Sequence, residues 1–178
     1  MNTQTLLSIV ADQREELLAN DYSELCPRPE ESQLDLKSNR AQVVIGVRRC
    51  GKSTLCEMFL KQKGIDFAYV NFDDDRMEDM KASDLDHLLE ALYMTYGEFK
   101  YLFLDEIQNI EGWPLFVNRL LRQKIHLFIT GSNSKLLSKE LSTHLTGRNN
   151  KVELYPFSYS EYCAMKNIDT TSLSTKAK

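Results

Sequence analysis

Gly46-Val47-Arg48-Arg49-Cys50-Gly51-Lys52-Ser53 sets two glycines five positions apart and closes on a lysine and a serine. Glycines at this spacing let a backbone wrap so that successive N–H groups point inward at phosphate oxygens. The lysine after the second glycine can reach the β- and γ-phosphates of a nucleoside triphosphate, and the Ser53 hydroxyl is placed to ligate Mg²⁺. A helix starting near Lys52 adds the positive end of its dipole. All of Gly46 to Ser53, with Thr54 next on that helix, are candidates for nucleotide contact. Arg48 and Arg49 are read either as exposed arginines or as contacts to phosphate or a neighbouring subunit. Cys50 is read as a small loop residue, because no base partner for a nucleophilic thiol is identifiable.

A second constellation lies 52 residues beyond Ser53, where Tyr101-Leu102-Phe103-Leu104 runs into Asp105-Glu106. Asp105 at the tip of an apolar strand is expected to hold Mg²⁺ through its water shell. Glu106 is expected to orient the attacking water or accept its proton, because water is a poor nucleophile at neutral pH. The competing reading is an acidic N-cap cluster for the next helix. A third group follows His126–Thr130, where Gly131-Ser132-Asn133 could bring a polar side chain to the γ-phosphate or the water. Ser132 and Asn133 are the candidates and Thr130 is set behind them, although this run is also good turn and cap chemistry. Arg148, after Gly147, either caps a helix end or reaches the γ-phosphate of a neighbouring copy as an arginine finger.

These residues need elements to hold them. An amphipathic helix is predicted over residues 3–20, with Leu6, Leu7, Val10, Leu17 and Leu18 on its stripe and Gln13, Arg14 and Glu15 between them. A polar connector follows over 26–40. Short apolar strands are then predicted at 41–45, 67–72, 100–104, 126–130 and 151–154. Helices are predicted at 52–62, 83–96, 113–122, 134–145 and from 158, with Ser83 as an N-cap. Strands apolar on both faces and alternating with helices predict an α/β three-layer sandwich around a mostly parallel five-stranded sheet. The ligand site of such a fold lies beyond the C-terminal ends of the strands. The expected division is a helix and connector over 1–40, a nucleotide-binding core over 41–163, and the start of a further region over 164–178.

Composition bounds the rest. With 178 residues, 42% hydrophobic and 27% charged, the chain supports one soluble globular domain. A net charge of −4 does not mark the whole chain as a nucleic-acid binder. The charge is unevenly spread: residues 66–111 hold 13 acidic against 3 basic side chains, whereas 112–151 hold 7 basic against 1 acidic. Two solvated faces explain this, as does a head-to-tail contact between copies or a basic face for an anionic partner. Four cysteines without a CxxC pair, and three histidines without ligand spacing, give no disulfide framework or zinc site. No stretch reaches the ~20 apolar residues of a membrane helix, and no basic n-region starts the chain. A soluble, cytoplasmic protein is expected.

The set GVRRCGKST, YLFLDEIQ with EGWP after it, and LFITGSNSKLLSKELSTHLTGR followed by ELYPFSYSEY resembles prokaryotic AAA+ ATPases whose AAA domain precedes a C-terminal domain of uncharacterised function. The resemblance covers roughly residues 40–163. It implies an AAA+ sheet of the ASCE type, ATP hydrolysis with Mg²⁺, Glu106 as base, Ser132 or Asn133 as sensor, and Arg148 as the arginine finger. VNFDDDR (Val70–Arg76) also matches a segment of that family. Family members continue well past the Tyr-Pro-Phe segment, so a chain stopping at Lys178 is expected to lack the second domain. The expected function is Mg-ATP hydrolysis coupled to remodelling of a partner. The alternatives are a nucleotide-binding switch with negligible turnover, a P-loop kinase, which Glu106 argues against, and a nucleic-acid module using the basic half.

Overall fold

Val43, Val44 and Ile45 are all buried, so the strand that carries them has no solvent face and must sit inside a sheet covered on both sides. The computed structural model describes residues 1–22, 25–132 and 134–166. Along the chain it has α1 (Thr3–Ala19), β1 (Ala41–Gly46), α2 (Lys52–Gln62), β2 (Ala68–Asn71) and α3 (Leu85–Tyr96). Then follow β3 (Tyr101–Asp105), α4 (Trp113–Arg122), β4 (His126–Gly131), α5 (Ser134–His144), β5 (Asn149–Leu154) and α6 (Tyr159–Met165). The strands form one sheet in the order β2-β3-β4-β1-β5, and every pairing is parallel. Strand β4 therefore lies between β1 and β3, and the three tips that carry the sequence motifs are neighbours.

The alternation of side chains divides the core. Val43, Ile45, Leu102, Leu104, Leu127 and Ile129 pack with residues of α1, α3, α4 and α5. Val44, Phe103, Phe128 and Val152 face the other way, onto Leu55, Cys56, Phe59 and Leu60 of α2. Helix α1 belongs to this body. Leu6, Ile9 and Val10 lie in the first cluster and Leu17 in the second, so α1 runs beside the edge strand β2.

Gln13 corrects the sequence reading that set it on the polar side of α1: it is 2% exposed. Its amide accepts from Asn71 N–H and donates to Asn71 O, each at 3.0 Å. It thus supplies the partner that edge residue Asn71 would otherwise lack. Ser83 is not the cap of α3 either. A 3-10 turn over Ala82–Asp84 precedes that helix, and Asp84 stands at its N-cap without a side-chain cap bond. The Asp84 carboxylate instead takes the Met1 ammonium at 2.6 Å and the Lys81 N–H at 2.9 Å. Among the described residues no helix is long and apolar enough to cross a membrane.

Candidate active site

Between β1 and α2 the chain must turn sharply, and two residues supply left-handed backbone: Arg49 (φ 65°) and Gly51 (φ 93°). Gly46 is required for a different reason. A Cβ placed there would lie 2.2 Å from the Leu154 carbonyl oxygen, so only glycine lets the loop leave β1 against the end of β5. Helix α2 begins at Lys52 after Gly51, with no side-chain cap, which leaves its first N–H groups free for an anion.

At the tip of β3 the chain turns through Glu106, also left-handed at φ 54°. This dihedral, costly for a residue with a Cβ, separates two consecutive carboxylates into two environments. Asp105 points back under the phosphate loop. Its Oδ1 accepts from Ser53 Oγ at 2.8 Å and from Thr130 Oγ1, and its Oδ2 accepts from Tyr69 at 3.3 Å. Burial raises the Asp105 carboxyl above its ordinary value, although the three hydroxyl donors pull the other way. Glu106 turns toward Lys52. Its Oε1 is 3.3 Å from Lys52 Nζ, while Oε2 accepts from Ser132 Oγ at 2.6 Å, Ser132 N–H at 3.0 Å and Gln108 Nε2 at 2.6 Å. Burial works against its charge, but the bonds from Ser132 and Gln108 and the Lys52 ammonium outweigh it and hold Glu106 below the ordinary value.

Lys52 is 3% exposed and also donates to Val47 O at 3.1 Å, so the buried cation has a carboxylate and a carbonyl as partners. Thr130, set behind Ser132 and Asn133 in the sequence reading, is wholly buried. Besides donating to Asp105 it accepts the Glu106 N–H at 3.0 Å. Ser132 reaches Glu106, and Asn133 lies outside the described residues.

The other candidates separate. Val47 is 56% exposed on the loop. Arg48 is exposed and pairs with Asp73 at 2.6 Å, which gives the VNFDDDR segment one contact with the phosphate loop. Arg49 is exposed. Cys50 is buried with Sγ 3.5 Å from Leu154 O, and burial raises its thiol, so it is no ready nucleophile. Arg148 lies just before β5, and Asn149 pairs with Ala41 at the start of β1. It therefore lies at the N-terminal end of the strands, roughly 20 Å from the phosphate loop along a six-residue strand. Its guanidinium donates to Asn118 at 2.9 Å.

Tyr69 and Gln108 complete the site and were not singled out from sequence. A tyrosine inside an apolar strand carries no local sign of a carboxylate partner. Gln108, two residues after Glu106, was the more legible of the two.

A single hydroxyl and a single carboxylate oxygen 2.8 Å apart suit Mg²⁺, a hard cation that takes one or two protein oxygens with phosphates and water. No group of three His, Cys, Asp or Glu among the described residues forms a cage that would hold a metal unaided. Beside the first turns of α2 lies a cavity of about 170 Å³, lined by Cys26, Arg28, Gly51, Thr54, Met58 and Phe157 among others. A larger cleft of about 580 Å³ is bordered by Glu16, Asp73, Asp74 and Asp75. Its carboxylates would repel a polyphosphate.

A family model described as "AAA domain" matches residues 38–163. An uncharacterized protein of Methanocaldococcus jannaschii is 41% identical over 138 residues, which is 77% of this chain and 31% of the relative. An uncharacterized protein of Haemophilus influenzae is 39% identical over 139 residues, covering 74% of this chain and 35% of that protein. The chain thus spans about a third of the length of the curated relatives it matches.

Proposed function

The chain belongs to this AAA domain family, and from that membership we propose that it binds ATP with Mg²⁺ and hydrolyses the terminal phosphoanhydride. Nucleotide binding of the ATPase type follows from the family; hydrolysis, its coupling and its partners are our reading. The observation that carries hydrolysis is the placement of Glu106 beside Lys52, with one carboxylate oxygen held by Ser132 and Gln108.

The loop N–H groups and the start of α2 cradle the phosphates. Lys52 exchanges Glu106 for the β- and γ-phosphates, which frees Glu106 Oε1 for a water. Glu106 orients that water and takes its proton as the oxygen attacks phosphorus. Held below its ordinary pKa, Glu106 is ionised and can accept hydrogen bonds from that water. Ser53 and Asp105 would hold Mg²⁺, which supplies neutralisation of charge on the phosphates when bound. Thr130 fixes Asp105 and the Glu106 backbone in one register.

Arg148, at the far end of the strands from the phosphate loop, cannot serve its own chain's phosphate. We assign it to a neighbouring copy in a head-to-tail oligomer, with the acidic 66–111 and basic 112–151 regions as complementary contacts. Turnover in such an assembly would drive remodelling of a client protein or nucleic acid.

Phosphate release from Mg-ATP over a protein concentration series tests this. Specific activity should rise with concentration, vanish in Lys52→Ala, and lose its concentration dependence in Arg148→Ala with ATP affinity kept. ATP bound without phosphate at any concentration overturns hydrolysis by this chain.

A further inference from the structure

Arg28 lies in the connector before β1, outside every sequence motif, yet its side chain is only 7% exposed. An arginine is rarely buried without several partners, because removing a guanidinium from water is costly. Here the partners come from separate parts of the chain. Nη2 donates to Tyr155 O at 2.7 Å, just after β5. Nη1 donates to Cys50 O, in the phosphate loop, at 3.5 Å. Nε faces Glu161 of α6 at 3.0 Å and Glu30 at 3.5 Å, as ion pairs rather than aligned hydrogen bonds. The guanidinium carbon lies 4.5 Å from the centre of the Phe157 ring.

Independent contacts press the same two segments together. The phosphate loop leaves β1 at Gly46 with no room for a Cβ against Leu154 O. Cys50 Sγ reaches that same carbonyl at 3.5 Å. The Cys50 carbonyl is aimed by the left-handed residues on either side of it, Arg49 and Gly51. When phosphates draw the loop N–H groups inward, the dihedrals that set this carbonyl must respond, and Arg28 is bonded to it. From Arg28 the next bonds lead to Tyr155, Phe157 and Glu161.

We infer that Arg28 is a positioning residue that couples nucleotide occupancy of the phosphate loop to the segment 155–165. The inference rests on the nucleotide-site reading above and adds to it a route by which the bound state is felt outside the site. Arg28 touches no reacting atom. It clasps the loop to the end of β5 and to α6, so ordering one orders the other.

Hydrogen exchange with saturating Mg-ADP, read separately on peptides covering 46–55 and 155–165, tests this without needing turnover. In the wild type both peptides should exchange more slowly, the second by about tenfold. In Arg28→Met and in Glu161→Gln the loop should stay protected while 155–165 loses its nucleotide-dependent slowing. Glu161→Gln keeps Arg28 in place, so it decides the matter if Arg28→Met unfolds or weakens the loop. Protection of 155–165 that persists in Glu161→Gln, or is lost there together with the loop, overturns the coupling. A protected loop with no change at 155–165 in the wild type overturns it too and leaves the nucleotide site standing. No protection of the loop defeats the nucleotide-site reading, and this inference with it.

Discussion

Lys52 Nζ and Glu106 Oε1 are 3.3 Å apart, so the lysine proposed to bind phosphate and the carboxylate proposed as the base neutralise each other. Each is mostly buried, and each would be poorly solvated alone. On the proposed reading, phosphates compete with Glu106 for Lys52.

Glu106→Gln should remove this competition together with the base. ATP affinity is expected to hold or to improve, while turnover falls by roughly 10²–10⁴, the usual contribution of a general base. Equilibrium ATP binding and single-turnover phosphate release, measured side by side, check both halves. Weaker ATP binding in the variant would contradict the competition.

Thr130→Val keeps the shape and the β-branched character of the strand but deletes one hydroxyl. Asp105 then loses a donor and the Glu106 N–H loses its acceptor. One N–H left without a partner, and a buried carboxylate that keeps only its Ser53 and Tyr69 donors, should lower stability by about 1–3 kcal/mol. Thr130→Ser, which keeps the hydroxyl, should recover most of it. Urea unfolding of the two variants gives the comparison, and equal midpoints would show that the hydroxyl bears no weight.

Gly46→Ala puts a methyl 2.2 Å from the Leu154 carbonyl oxygen and 2.8 Å from Cys50 Sγ. The nearest atom is backbone in the sheet and cannot step aside, so the change should cost about 3 kcal/mol or more. Gly64→Ala is the contrast. Its φ is 65° but nothing lies near its Cβ, so only left-handed strain of about 1–2 kcal/mol is expected. Thermal melts of both proteins should rank them in that order.

Glu57 on α2 gives a pH signature. Burial pushes its carboxyl from 4.5 to about 7; the bond from Asn20 works against this and the charge of Asp105 adds to it. The folded state therefore holds this proton more tightly than the unfolded chain. The stabilisation is complete below about pH 4.5 and is lost as pH rises through about 7. Glu57→Gln should be the more stable protein above pH 7, by about 1–3 kcal/mol, with the gap closing toward pH 5. Unfolding midpoints of both proteins across pH 5–8 provide the check. A gap that does not change with pH would refute the assignment.

The phosphate loop, the five strands and the Asp105-Glu106 tip were legible in the sequence because each is local. A phosphate cradle needs glycines at fixed positions, and a strand buried on both faces reads as an unbroken apolar run. Element order then predicted the parallel sheet, since helices between successive strands leave parallel pairing as the natural outcome. The roles of individual polar residues were not local. Whether Thr130 or Ser132 meets Asp105 depends on how far β4 extends past β3. Gln13 looked like surface until α1 was laid along the edge of β2. Arg28 and Tyr69 have partners 127 and 36 residues away, and no periodicity reports such pairs. Arg148 follows its helix as expected, but only the register of β5 on β1 puts it at the end of the strands opposite the phosphate loop. The sequence alone determined the fold class and the AAA domain family, because both are written in residue type and short spacing. The tertiary structure decided which side chains hold that chemistry in place, because burial and hydrogen-bond partners exist only after distant segments have packed.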